Sequence, residues 1–136
     1  MNFNLVTIFP EITKLLDFGV IGKAIEKDLI SINGLNPRNF SKNTSKNVDD
    51  APYGGGEGVV MMAEPLALAI KSIKNKGKVI LMSPQGEHLS NAHIDELLDE
   101  KSITIICGRY EGIDERFIEN YAVSYTHLRA HETRFY

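Results

Sequence analysis

Lys78-Val-Ile-Leu-Met-Ser-Pro-Gln-Gly86 and Ile103-Thr-Ile-Ile-Cys-Gly-Arg-Tyr-Glu-Gly112 are the two stretches that decide the fold. Each begins as a short apolar run, and each run ends at a loop that contains glycine. Between them lies a helical pattern, because Ser90 or Asn91 can cap a helix with apolar positions at Ile94, Leu97 and Leu98. Strand, loop and helix, repeated, predict an α/β fold with a parallel sheet flanked by helices.

The rest of the chain fits the same fold class. The apolar run Asn4–Phe9 predicts a strand that stops at Pro10, and helical spacing follows from Glu11. Further helices are predicted at 21–29, 61–73 and 113–120. In parallel sheets ligands bind beyond the carboxyl ends of the strands. The two glycine loops, which follow Met82 and Ile106, are therefore candidate parts of one site.

Composition limits the classes of protein that this chain can represent. It has 136 residues, 43% hydrophobic and 24% charged, which suits one globular domain. The net charge of −3 argues against wholesale coating of nucleic acid. The apolar runs fall short of the roughly 20 residues that cross a bilayer, and the amino terminus lacks the basic start of a signal peptide. We therefore expect a cytoplasmic protein without membrane association.

A third glycine-rich stretch runs from Val48 to Gly58 and contains Asp49, Asp50 and Tyr53. Glycine suits positions of positive φ or close ligand approach, so the stretch is either a ligand loop or a tight turn. The chain lacks the phosphate-binding Gly-x-x-x-x-Gly-Lys-Ser/Thr and Gly-x-Gly-x-x-Gly patterns. Its four histidines have no cysteine partners or His-Glu-x-x-His frame, so no metal site is predicted.

Two other features have alternative interpretations. The segment Asn36–Asn47 carries Arg38, Lys42 and Lys46 but no acidic residue. It is either a solvated connector or a phosphate-contacting arm that orders when RNA binds. Cys107, the single cysteine, ends an apolar run and is predicted to pack in the core rather than to act as a nucleophile.

Several of these strings occur in one order that resembles a known family. They are 8–11, 36–40, 48–58, 83–86 and 107–116. In this order they resemble the bacterial tRNA (guanine-N1)-methyltransferase of the SPOUT superfamily, over residues 1–123. The resemblance implies a trefoil-knotted α/β domain, S-adenosylmethionine as methyl donor and a homodimer. It also implies methylation of tRNA at N1 of the guanosine 3′ of the anticodon.

The resemblance also implies site residues. Those matching the family's two cofactor loops are Ser83, Pro84, Gln85, Gly86, Gly108, Arg109, Tyr110 and Gly112. A second group matches the part of the family that borders the target guanosine: Asp49, Asp50, Tyr53, Gly54, Gly55 and Gly56. Arg38, a basic residue of the preceding segment, is added to this substrate-binding group. Glu111 is the candidate supporting residue for guanine recognition or proton removal. The family assigns its general base to an aspartate of a carboxyl-terminal domain that this sequence does not contain.

The sequence departs from the family pattern after Val123. Residues 124–136 carry two of the four histidines and no glycine, and we interpret them as a non-native tail on an incomplete domain 1–123. On this interpretation the knot is incomplete and the 136-residue chain has little or no activity. Two alternatives remain open: a SPOUT methyltransferase acting on ribosomal RNA, and a non-catalytic RNA-binding module.

Overall fold

A five-stranded parallel sheet is the centre of the fold. The computed structural model describes residues 1–41, 49–50, 60–61, 63–108, 117 and 124–127. The strands of this sheet are β1 (Asn2–Val6), β2 (Ser31–Leu35), β5 (Lys78–His88), β6 (Ser102–Ile106) and β7 (Ser124–His127), in the order β2-β1-β6-β5-β7. All four pairings are parallel, which confirms the fold class predicted from the sequence.

The remaining described elements are helices and a small antiparallel pair. Two 3₁₀ helices span Pro10–Asp17 and Pro37–Phe40. The α-helices are α1 (Gly19–Glu26), α2 (Ala63–Ser72) and α3 (Asn91–Leu98). β3 (Asp49–Asp50) pairs antiparallel with β4 (Val60–Met61) in a separate two-stranded sheet. None of the helices in the described part of the chain is long and apolar enough to cross a membrane.

The core lies between α2 and one face of the sheet. Leu66, Ala69 and Ile70 are buried on α2, and their i, i+3, i+4 spacing places them on one side of the helix. They join a buried cluster with side chains from the three central strands and with one further aromatic residue: Val6, Leu81, Ile106 and Phe117. Phe117 is helical and lies within the helix predicted at 113–120, whose other residues lie outside the described part.

A buried polar row continues the same face of the sheet toward its amino end. Asn4 and Thr104 come two residues before Val6 and Ile106, so they share a face with them. Asn4 Nδ2 donates to Thr104 Oγ1 and to the Asn75 carbonyl, both at 3.3 Å. Thr104 Oγ1 donates to the Lys76 carbonyl at 2.6 Å. These bonds fasten the turn before β5 to the two central strands.

One loop prediction was wrong, and for a second segment the structure excludes one of two alternatives at its start. The segment 83–86 was predicted as a loop, but β5 continues through it to His88 with an irregular register. β5 pairs with β7 up to Met82 and again at Glu87 and His88, on both sides of the irregular segment. The start of Asn36–Asn47 is not a solvated connector, since Pro37 is buried and Phe40 packs against the core. Residues 42–48 lie outside the described part, so their role as an RNA arm stays a prediction.

The residues after Val123 also enter the sheet. β7 covers Ser124–His127, the first four residues of the predicted tail, and pairs with β5. Its neighbours 118–123 and 128–136 lie outside the described part of the chain. The domain boundary at Val123 and the non-native origin of the tail stay predictions.

Candidate ligand site at the carboxyl edge of the sheet

Pairing of β5 with β6 brings the two predicted cofactor segments together. Leu81 stands opposite Ile106, and both strands run in the same direction. Ser83 therefore leaves the sheet region beside Cys107 and Gly108, with neighbouring strands about 4.8 Å apart. Gly108 is exposed, as a backbone that is open to a ligand must be.

The backbone between β5 and β7 bulges at the first predicted cofactor segment. Met82 and Glu87 both stand opposite Thr126, so the four residues Ser83–Gly86 are inserted between two positions that share one partner. A bulge re-aims backbone groups away from the regular ladder and is frequent next to active sites. The segment can therefore present N–H and C=O groups to a ligand without a charged side chain.

The same edge is continuous across the other central strands. The Cys107 N–H donates to the Val6 carbonyl at 2.9 Å, and the Thr7 N–H donates to the Leu35 carbonyl at 2.9 Å. Just beyond, the Phe9 N–H donates to Thr7 Oγ1 at 3.1 Å. The first two bonds carry the pairing of β6 with β1 and of β1 with β2 one residue past the strand ends, so these three strands form a continuous edge.

Cys107 follows β6 directly at this edge of the sheet, and its thiol is half-buried. Burial raises its pKa, because desolvation disfavours the thiolate. A nucleophilic cysteine needs the opposite shift. Cys107 lies just after β6 and outside the buried cluster, so the core position predicted for it was wrong, and its raised pKa gives no support to a thiol nucleophile.

Arg38 lies at the same edge but farther along it. Its 3₁₀ helix follows β2 directly and begins at Pro37, with Asn36 Oδ1 accepting from the Arg38 N–H at 3.0 Å. Arg38 is half-buried. β2 is separated from β5 by β1 and β6, so Arg38 leaves the sheet roughly 14 Å from Ser83. That distance suits a contact with a large substrate rather than with the ligand held by the bulge.

The acidic pair lies at the base of the third glycine-rich stretch. Asp49 pairs with Met61 and Asp50 with Val60, so the antiparallel β3/β4 ladder closes the segment 51–59. α2 begins two residues after β4 and packs against the 3₁₀ helix that carries Arg38. Through α2, the structure links the two groups of predicted guanosine-side residues.

Eight predicted site residues lie outside the described part of the chain, and their assignment stays a prediction. They are Tyr53, Gly54, Gly55, Gly56, Arg109, Tyr110, Glu111 and Gly112. The backbone positions of Asp49, Asp50 and the residues 83–86 are described, but their side chains are not.

A cavity of about 310 Å³ lies away from this edge, toward the amino ends of β1 and β2. Asn2, Asn4 and Asn33 line it, together with the end of α2 and the turn that follows. Asn2 and Asn4 already bond to Ser31, Thr104 and Asn75 within the fold. The side-chain amides of Asn2 and Asn4 therefore have structural roles, and the cavity is separate from the predicted site.

Comparison with known proteins supplies a family match. A family model described as tRNA (Guanine-1)-methyltransferase TrmD matches residues 1–128. A tRNA (guanine-N(1)-)-methyltransferase of Buchnera aphidicola subsp. Acyrthosiphon pisum (strain APS) is 56% identical over 123 residues, covering 87% of this chain and 52% of the relative. One of Photobacterium profundum is 49% identical over 124 residues, covering 88% of this chain and 50% of the relative.

A solved structure agrees in fold. The crystal structure of tRNA (m1G37) methyltransferase from Aquifex aeolicus superposes with a TM-score of 0.79 at 32% identity. The match covers 97% of this chain and 61% of that structure. The chain spans about half the length of the curated relatives it matches.

Fold and site together define a parallel α/β domain whose candidate ligand site is built from backbone at the carboxyl edge. With the match over residues 1–128, the chain belongs to the tRNA (Guanine-1)-methyltransferase TrmD family. The family resemblance predicted from the sequence is thereby confirmed.

Proposed function

We propose that this chain supplies the methyl-donor site, and part of the guanosine site, of a tRNA methyltransferase. The reaction is transfer of a methyl group from S-adenosylmethionine to N1 of the guanosine 3′ of the anticodon. The support comes from relatives named for guanine-N1 methylation of tRNA and from the m1G37 enzyme of matching fold. Because the chain spans about half of those relatives, the activity is proposed for the whole protein.

One observation supports the donor site most directly. The bulged segment Ser83–Gly86 and the exposed Gly108 emerge side by side at the carboxyl edge. When bound, S-adenosylmethionine supplies a methyl group on a positively charged sulfur, so transfer needs no protein nucleophile. Backbone N–H and C=O groups suit the polar edge of its adenine, and glycine allows that edge to approach closely. The residues present therefore fit this donor.

The acidic residues suit the acceptor side of the reaction. N1 of guanine carries a proton and becomes a good nucleophile only when a base removes it. A carboxylate can accept from the ring N–H and from the exocyclic amine of guanine. We assign Asp49 and Asp50 to the guanosine side, with Glu111 as the supporting acid at the end of the second cofactor segment. Arg38 is proposed to contact tRNA phosphate.

The proposal includes assembly and location. By family resemblance we propose a homodimer that acts on tRNA in the cytoplasm. Support from this chain is an apolar outer surface on the first 3₁₀ helix and α1, where Leu15, Phe18 and Val20 are exposed. Such surfaces commonly mark interaction sites.

Calorimetry with S-adenosylmethionine and the 136-residue chain tests the donor site. The wild type is expected to release or absorb measurable heat, and Gly86→Val is expected to abolish it, because a branched side chain would block close approach to the bulge. Ala92→Val, on the exposed face of α3, adds the same side chain outside the edge and is expected to leave the heat unchanged. Equal heats for wild type and Gly86→Val would contradict the site and would favour an RNA-binding module.

A further inference from the structure

A short hydrogen-bonded chain joins the end of the bulged segment to the start of α3. Glu87 follows Gly86 directly, and its Oε2 lies 3.3 Å from His93 Nε2. On the other side of the ring, His93 Nδ1 lies 3.1 Å from the Ser90 backbone N. Ser90 Oγ accepts from the His93 N–H at 3.4 Å, which completes a capping box at the amino end of α3.

The arrangement defines which ring nitrogen carries the proton in neutral His93. The Ser90 N–H can only donate, so Nδ1 is the acceptor. The proton is therefore on Nε2, which faces the Glu87 carboxylate. A neutral imidazole in this tautomer satisfies both neighbours at once. The sequence predicted Ser90 or Asn91 as the cap, and the structure selects Ser90. The role of His93 was not predicted, because a capping box ordinarily has Glu or Gln at this position.

We propose that Ser90 and His93 are positioning residues for the Ser83–Gly86 segment. They hold Glu87, and through it the carboxyl end of the segment, against the first turn of α3. The link to donor binding rests on the function proposed above; the anchoring itself does not. β7 already pairs with Met82 before the segment and with Glu87 and His88 after it, so the His93 contact adds a side-chain anchor at the second of these two ends.

A role in position, rather than in stability, follows from the exposure of the pair. The Glu87 side chain is 80% exposed, and a solvent-exposed contact of a carboxylate contributes little to the free energy of folding. The contact can still select one backbone path for the residues attached to it. Loss of His93 should therefore change local opening near Gly86 more than it changes global unfolding.

Two substitutions separate the proposed role from simple packing. His93→Ala removes the contact of the ring with Glu87 and its contacts with the backbone N and Oγ of Ser90. His93→Gln keeps an oxygen that accepts from the Ser90 N–H and an amide that donates to Glu87, so it should restore the wild-type behaviour. Glu87→Ala should reproduce the effect of His93→Ala, and the double variant should be no worse than either single variant, because the groups act in one chain.

The primary measurement is amide hydrogen exchange of the 136-residue chain without ligand. We expect His93→Ala to speed exchange at Gly86, Glu87 and His88 about threefold to tenfold, as befits the loss of one or two ordinary hydrogen bonds. Exchange within α2 should stay at the wild-type rate, and His93→Gln should return the three amides to it. Unchanged exchange at these amides in His93→Ala, or a failure of His93→Gln to restore it, overturns the proposal.

Calorimetry with S-adenosylmethionine is the second arm. The Kd should weaken about threefold to tenfold in His93→Ala and recover in His93→Gln. If the wild type binds no donor while exchange follows the expected pattern, the function proposed above fails and the anchoring stands. If the wild type binds but His93→Ala binds equally well, the anchoring has no bearing on the donor and its positioning role is overturned.

Discussion

At the scale of single residues, Gly77 is the position least tolerant of a side chain among those described. It has φ +56°, and a Cβ built on it would lie 1.8 Å from the Ser102 carbonyl oxygen. We expect Gly77→Ala to lower the free energy of unfolding by about 3 kcal/mol, because backbone atoms must move to remove the clash. Urea denaturation followed by circular dichroism measures the change.

Gly19 offers the matched control for that substitution. It has a similar φ of +66°, but a Cβ there would meet nothing within 4 Å. Gly19→Ala should therefore cost only the left-handed strain, about 1 kcal/mol. Equal losses for the two variants would show that φ alone, and not the approach of β6, sets the requirement for glycine at position 77.

Cys107 gives the chain a pH dependence of defined sign. Burial raises the pKa of its thiol, so the folded chain keeps this proton to a higher pH than the unfolded chain does. In the unfolded chain a cysteine thiol has a pKa of about 8.5. The stabilisation from this group is complete below that value and is lost as the pH rises through the folded pKa. We expect wild type to lose stability relative to Cys107→Ala as the pH rises from about 8 to about 10. A difference in free energy of unfolding between wild type and Cys107→Ala that stays constant over this pH range would contradict the expectation.

The sequence predicted the role of a single residue only where its hydrogen-bond partners are close in the sequence. Ser90 was one of two predicted caps, Ser90 or Asn91, because the bonds of a cap stay within one helical turn. The partners of Thr104 were not predictable, since its hydroxyl bonds to the Lys76 carbonyl, which is 28 residues away. A polar residue inside an apolar run indicates that a partner exists, but it does not identify the carbonyl.

At the scale of elements, the carboxyl-terminal cap of α1 contains a residue whose substitution should raise stability. The Leu29 N–H donates to the Ala24 carbonyl at 2.9 Å, and the Asp28 N–H donates to the Ile25 carbonyl at 3.0 Å. This is a Schellman motif, with Asp28 in the left-handed position at φ +58°. We expect Asp28→Gly to raise the free energy of unfolding by about 1 kcal/mol, because glycine carries no Cβ strain there.

A second glycine substitution in α1 is the control for this prediction. Glu26→Gly puts glycine at the last position of the helix itself, where it should lower stability by about 1 kcal/mol. Thermal and urea unfolding of the two variants should move in opposite directions. A loss of stability in Asp28→Gly would show that the aspartate side chain contributes more than the strain costs.

The sequence predicted most elements but shifted several of their boundaries. β1, β5 and β6 were found from apolar runs, and α2 from its periodic face. β2 was missed, because Ser31-Ile-Asn-Gly-Leu35 has little apolar content and its Asn-Gly is a turn signal. Its place at the sheet edge, paired with β1 alone, explains why so polar a strand is tolerated.

At the scale of the whole molecule, the position of the candidate site was predictable and its detailed shape was not. Parallel topology alone places the ends of β5 and β6 at one edge, so the convergence of Ser83–Gly86 with Gly108 follows from the strand order. The bulge depends on β7, which was not predicted as a strand because residues 124–136 were interpreted as a tail outside the domain. The backbone path of residues 83–86 is set by the pairing of β5 with β7, which the sequence of the segment alone does not specify.

The outer surface formed by the first 3₁₀ helix and α1 predicts self-association. Phe18 is 75% exposed and Val20 is 85% exposed, and both lie where these two elements meet. We expect sedimentation velocity to show dimers or larger species at tens of micromolar. Phe18→Ser combined with Val20→Lys should shift the distribution toward monomer, since burial of these side chains is the driving force for association.

Leu98 on α3 provides the comparison, because it is 66% exposed but belongs to a different helix. Like the double variant, Leu98→Lys removes exposed apolar area and adds one positive charge. It should leave the distribution unchanged if contact through the first 3₁₀ helix and α1 is specific. Equal shifts in both variants would indicate non-specific aggregation of an apolar chain. A monodisperse wild-type monomer would remove the support that this surface gives to the proposed homodimer, while leaving the donor site at the carboxyl edge unaffected.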